Sequence, residues 1–133
     1  MSRKLAGLAG MRRLIPVGAL LAALLLPAAA RADPDPKKGR DISIKHCARC
    51  HVIGDYNRLG GIDATPSFQS LANRRPDFVE RLRTFYQRRP HPVFVRVPDV
   101  PRWTELPSAV TEFTVTPEDI ENVIAFVKTL KKN

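Results

Sequence analysis

Residues 47–51 read Cys-Ala-Arg-Cys-His, and everything else in the chain is best read outward from them. Two thiols three positions apart on a helical turn face the same side. Both can reach the two vinyl groups on one edge of a haem, while the adjacent His51 presents its ring to the iron. The competing readings are weaker. A structural zinc site needs four ligands, and outside the motif the chain offers only His46 and His91, with no further cysteine. A redox dithiol shares the spacing but expects a βαβ context, which this sequence lacks. A disulfide between Cys47 and Cys50 would close a tiny loop and restrain little. The motif points to one haem per chain, covalently attached at Cys47 and Cys50, with His51 as the proximal iron ligand.

Upstream, residues 39–50 predict a first helix, with Gly39 and Ser43 forming a small-residue face where another helix can approach closely. Residues 33–38 read as a polar tail. Before them, Arg3, Lys4, Arg12 and Arg13 precede the apolar run LIPVGALLAALLL (14–26), and Ala30-Arg31-Ala32 follows. A basic start, a short apolar stretch and an A-x-A site are the parts of a secretory signal, with cleavage expected after Ala32. The run is shorter than the roughly 20 apolar residues that span a bilayer, so no stable membrane span is expected once the signal is removed. The expected organisation is a signal at 1–32 and one small domain at 33–133.

The charge follows from that division. The full chain has a formal net charge of +9. Five of its 22 Lys and Arg lie in the first 32 residues and none of its 13 acids does, so residues 33–133 carry +4. That is too mild to argue for nucleic acid. It suits an encounter with a partner protein that presents an acidic surface.

Downstream, Gly54, Gly60, Gly61 and Pro66 mark a loop over 52–66, and residues 67–73 predict a short helix. Phe78, Val79, Leu82, Phe85 and Tyr86 form a helical stripe that ends before Pro90 and Pro92. Residues 90–107 carry five prolines. Val93, Val95 and Val97 alternate there with Phe94 and Arg96, but the flanking prolines favour an extended loop over a strand. The last helix has the fullest set of signals: Thr116 as N-cap, Pro117 in the first turn, Asp119 at the capping-box position, and Ile120, Val123, Ile124, Val127 and Leu130 as its apolar stripe. The expected class is all-α, with three to four helices and long loops wrapped round one haem.

Over residues 37–132 the chain resembles the class I c-type cytochromes. The resemblance rests on Gly39, on GRDISIKHCARCH running into the haem motif, and on TPEDIENVIAFVKTL as terminal helix with Phe126 in the family's aromatic position. It implies that Gly39 and Ser43 pack against Phe126 where the two helices cross. It also implies that the carbonyl of Pro66 accepts the His51 ring N–H, a bond that orients the ligand.

One departure matters. Carriers of this family bind the far side of the iron with methionine, and the only methionines here, Met1 and Met11, lie in the signal. The pattern Pro90-His91-Pro92-Val93-Phe94 places Phe94 where the family's methionine would stand, and phenylalanine cannot ligate iron. Two readings stay open: an open sixth position behind Phe94, or ligation by His91. Trp103 is read as a haem-pocket residue, and Arg96 and Arg102 either pair with propionates or form a solvated basic loop. The function expected is one-electron transfer in the periplasm, with a redox partner protein. The alternatives are a five-coordinate haem protein that binds or senses NO, CO or oxygen, and a cytochrome subunit of a periplasmic oxidoreductase. Stand-alone catalysis is not expected, because apart from His91 no acid, base or nucleophile is convincingly placed near the haem.

Overall fold

A computed structural model describes residues 32–132; the signal expected at 1–32 therefore lies almost wholly outside the described residues. Four α-helices make the frame: α1 (Pro36–Cys47), α2 (Phe68–Arg74), α3 (Phe78–Arg83) and α4 (Pro117–Thr129). Two strands of two residues each, β1 (Val95–Arg96) and β2 (Phe113–Thr114), pair in parallel, with Val95 opposite Phe113 and Arg96 opposite Thr114. Single 3-10 turns cover Phe85–Gln87 and His91–Val93. This is a small, mostly helical architecture, consistent with the cytochrome c-like all-α fold that the resemblance implies.

The first helix begins earlier than the small-residue face suggested. The Asp35 side chain accepts the Lys37 N–H at 2.8 Å, and Pro36 occupies the first helical position. Residues 35–38 are therefore cap and helix, not tail, because a capped proline start satisfies the amides that open a helix. The helix also ends at Cys47, three residues sooner than expected. At its other end the chain makes a tight turn, in which Cys50 and His51 both donate their N–H to the Cys47 carbonyl, at 3.0 and 2.9 Å.

Helices α1 and α4 form the principal packing of the fold. A Cβ on Gly39 would stand 1.9 Å from the Asn122 carbonyl oxygen, so the two backbones approach as closely as only glycine permits. The close neighbour of Gly39 is thus the Asn122 backbone, one turn before Phe126; the ring tip of Phe126 lies instead near Gly54. Ser43 is fully buried and donates its hydroxyl proton to the Gly39 carbonyl at 2.6 Å. The buried Asn122 side chain accepts the Asp35 N–H at 2.7 Å and ties the start of α1 to the middle of α4.

Helix α4 carries the capping box read from the sequence. Thr116 Oγ1 accepts the Asp119 N–H at 3.1 Å, and the Asp119 carboxylate accepts the Thr116 N–H at 2.9 Å. Its inner face buries Ile120, Ile124, Phe126 and Val127 against Ile53, Phe68, Phe78 and Leu82. Two ties hold the smaller helices to it. Arg83 makes a two-pronged ion pair with Glu121, at 2.7 and 3.1 Å. The Asn73 side chain donates to the Leu130 carbonyl at 3.0 Å and accepts the Lys132 N–H at 2.8 Å, satisfying groups left open at the helix end.

The expectation of a plain extended loop at 93–97 needs correction. Residues 95 and 96 form a ladder strand, because β2 supplies a parallel partner eighteen residues on, and the prolines lie outside the paired residues.

Candidate haem-binding site

Cys47 closes α1, and Cys50 and His51 follow on the turn. Neither cysteine is in a disulfide. Burial, reinforced by the neighbouring Cys50, pushes the Cys47 thiol up to about 12. Around the two thiols the described residues show no βαβ unit, the context that a redox dithiol expects. Among the described residues, no group of three or more His, Cys, Asp or Glu is placed to hold a metal ion, so the motif has no companions with which to complete a zinc site.

The loop after the motif folds back over it. Ile62 donates its N–H to the Cys50 carbonyl at 3.0 Å, and Phe68 to the Val52 carbonyl at 3.0 Å. Gly61, with φ +85°, makes the reversal against the Cys50 backbone, where an L side chain would be both strained and crowded. Asn57 does work that the sequence did not reveal. Its amide oxygen accepts the Ile53 N–H at 2.7 Å, and its amide nitrogen donates to the Ala48 and His51 carbonyls at 3.0 and 2.9 Å. An asparagine in a glycine-rich loop is an available signal for such a clamp, but its partners are visible only in three dimensions.

The His51 ring is oriented from behind. Its Nδ1 lies 2.8 Å from the Pro66 carbonyl oxygen. A carbonyl can only accept, so Nδ1 carries the proton and the lone pair sits on Nε2. Burial lowers the pKa of this imidazole, partly offset by that hydrogen bond, and neutral imidazole is the form that ligates a metal.

His91 lies across from it. The two ring centres are 6.2 Å apart, with planes inclined by 14°. His91 Nδ1 is bonded to the Arg88 carbonyl at 2.9 Å, which leaves its Nε2 free in the same way. Burial lowers the pKa of this ring too. Aromatic side chains surround the pair: Phe68 at 5.4 Å from the His51 centre, and Phe85 at 5.1 Å and Phe94 at 6.0 Å from that of His91. Phe94 in turn contacts Phe113, on which His46 stacks at 4.4 Å. His46 is thereby engaged away from His51.

The remaining residues singled out from the sequence fall elsewhere. Arg96 is largely enclosed. It donates to the Pro92, Val93 and Val95 carbonyls at 3.0 to 3.2 Å and forms a two-pronged pair with Glu112 at 2.6 and 3.0 Å. Arg102 reaches the same carboxylate at 2.7 Å. Both arginines clasp Glu112, but only the enclosed Arg96 holds the turn that carries His91; Arg102 is an exposed charge paired with Glu112 and Glu105. Trp103 is 54% exposed, with the Arg89 guanidinium 4.5 Å above its ring.

The donor set fits a covalently held haem: two unpaired thiols on one turn, a neutral histidine beside them with its lone pair on Nε2, and an apolar, aromatic surround.

Comparison with known proteins points the same way. The chain is 40% identical over 58 residues to cytochrome c-552 of Bradyrhizobium diazoefficiens, a stretch covering 44% of this chain and 54% of that protein. The chain thus spans about half the length of the curated relative it matches. No family model matches the chain, and no solved structure does. The likeness to cytochrome c-552 supports a c-type cytochrome.

Proposed function

We propose that this chain is a periplasmic, monohaem c-type cytochrome that passes single electrons to and from a partner protein. The observation that carries the proposal is the turn closing α1, where Cys47, Cys50 and His51 follow one another and the His51 Nδ1–H is held by the Pro66 carbonyl. Cys47 and Cys50 would hold the haem through thioethers, and His51 would be its proximal ligand. When bound, the haem supplies an iron that changes oxidation state by one electron. The chain's own residues do the rest. Pro66 fixes the tautomer and direction of the His51 ring, and the bond makes that ring a stronger donor. Asn57 keeps the attachment turn from opening. Phe68, Phe85 and Phe94 would keep water from the site, and Trp103, exposed beside Arg89, would serve at most at the outer rim of the pocket. The net charge of +4 over residues 33–133 favours an acidic docking surface on the partner. Export through the 1–32 signal gives the periplasmic location. Among the described residues, no helix is long and apolar enough to cross a membrane.

The test is direct. The protein is expressed in a host competent in haem attachment, and its osmotic-shock fraction is run on a denaturing gel stained for haem. Haem should co-migrate with the chain, and the Cys47→Ser, Cys50→Ser double variant should lose it. A redox titration of the purified holoprotein should follow a single one-electron curve. A colourless protein would overturn the proposal.

A further inference from the structure

We infer that His91 is the second axial ligand of the iron, so that the haem sits between two histidines. The inference rests on the assignment of Cys47, Cys50 and His51 proposed above and adds to it the far side of the site. A metal–imidazole nitrogen bond is about 2.0 Å. The atoms of a five-membered ring with bonds near 1.33 Å lie about 1.1 Å from its centre. Two imidazoles bound to opposite sides of one metal therefore have centres roughly 6.2 Å apart. The His51 and His91 centres are separated by 6.2 Å.

The hydrogen bonds agree with the spacing. Each ring gives its Nδ1–H to a backbone carbonyl, Pro66 for His51 and Arg88 for His91. Such a bond on the nitrogen away from the metal is the usual accompaniment of a ligating histidine. In both rings it leaves Nε2 as the unprotonated nitrogen, with a lone pair available to a metal.

His91 is also held as a ligand should be. It opens a 3-10 turn whose end is closed by the Phe94 N–H on the His91 carbonyl at 3.1 Å. Arg96 binds the carbonyls of Pro92, Val93 and Val95, and the β1–β2 ladder anchors the residues that follow. Phe85 meets the His91 ring edge-on. The residue that stands where a methionine would be, Phe94, packs 6.0 Å from the His91 ring. The histidine three positions earlier thus supplies the donor that Phe94 cannot. A site closed in this way holds the iron six-coordinate in both oxidation states. It also excludes prompt binding of a gas and gives a lower potential than histidine–methionine ligation.

The experiment uses the purified holoprotein, its spectra recorded oxidised and reduced, before and after carbon monoxide. Low-spin spectra that ignore carbon monoxide are expected. His91→Gly should turn the iron high-spin and open it to carbon monoxide, and added imidazole should restore the low-spin spectrum. His91→Met should remain low-spin with a raised potential, a shift that a merely structural role for His91 would not produce. Covalent haem with a high-spin, carbon monoxide-binding wild type would overturn this inference alone and leave the attachment residues standing. So would a His91→Gly variant whose spectrum matches wild type. Absence of covalent haem would instead strike the proposal on which it rests.

Discussion

At the α1–α4 crossing two regular helices meet backbone to backbone, with Gly39 leaving room for the Asn122 carbonyl. Residues 84–115 contain no helix longer than a single turn. They are held by a two-residue ladder and by Glu112 clasped between Arg96 and Arg102. The two regions also face the site differently. The crossing lies behind the turn that presents Cys47, Cys50 and His51, whereas the clasp holds the turn that presents His91. In the first, the absence of a side chain brings backbones together. In the second, one long side chain gathers carbonyls that no secondary structure satisfies. The crossing is therefore sensitive to volume, and the clasp to charge and pH.

The largest effect should come from volume at the crossing. Gly39→Ala places a methyl group inside van der Waals contact of the Asn122 carbonyl. Neither backbone can yield without separating the helices. Unfolding by chaotrope should show a loss of about 3 kcal/mol, the upper end of the usual cost of overpacking, because the clash is with backbone. Unchanged stability would mean that α1 and α4 need not touch here, and the contrast between the regions would collapse.

Charge at the clasp comes next. Arg96→Ala removes donors from three carbonyls and from a partly enclosed carboxylate, and should cost about 2–3 kcal/mol. Arg102→Ala should cost less than about 1 kcal/mol, because its side chain is far more exposed and the carboxylate keeps Arg96. Both variants should keep their haem in the denaturing gel, since the attachment turn lies outside the clasp. Equal losses from the two arginines would show that Arg96 acts as a surface charge and not as a staple.

The smallest effect is the dependence of the clasp on acid. The hydrogen bond from Arg96, aided by the Arg102 charge, holds the Glu112 carboxyl below the usual carboxylate range against an opposing effect of burial. A carboxyl with a depressed folded-state pKa contributes stability that is fully present above its unfolded value, about 4.3, and is lost as pH falls through the folded value. The melting temperatures of wild type and Glu112→Gln should therefore differ by a constant margin near neutrality and converge in acid below about pH 4. A margin independent of pH would assign the Glu112 effect to packing. The Gly39–Asn122 contact is backbone against backbone and holds no ionisable group, so Gly39→Ala should show no comparable convergence.

The features legible from sequence are those whose causes are local. The α4 capping box needs only Thr116 and Asp119 three apart, and the haem motif needs only five consecutive residues. The start of α1 is equally local, since Asp35 and Pro36 are a cap and a first-turn proline in sequence as in structure. The Gly39–Ser43 face predicts the crossing with α4, and the structure sets Asn122, one turn before Phe126, nearest to Gly39. Composition gives the period of a helix stripe, not the rotation of one helix on another.

What the sequence by itself determined, then, is a mostly helical chain with a two-thiol, one-histidine turn at the end of its first helix and no methionine after Met11. What only the tertiary structure decided is the other side of the site. The Arg96–Glu112 pair spans sixteen residues, and the His51–His91 pair spans forty. Whether such partners meet depends on how loops close, and loop closure leaves no periodic mark in a sequence. A histidine in a proline-rich loop reads the same whether it points to solvent or toward another histidine. The Arg88 carbonyl on its Nδ1 and the Arg96 guanidinium on the Pro92 carbonyl hold the turn from nearby in the chain, but only the tertiary packing sets the ring opposite His51.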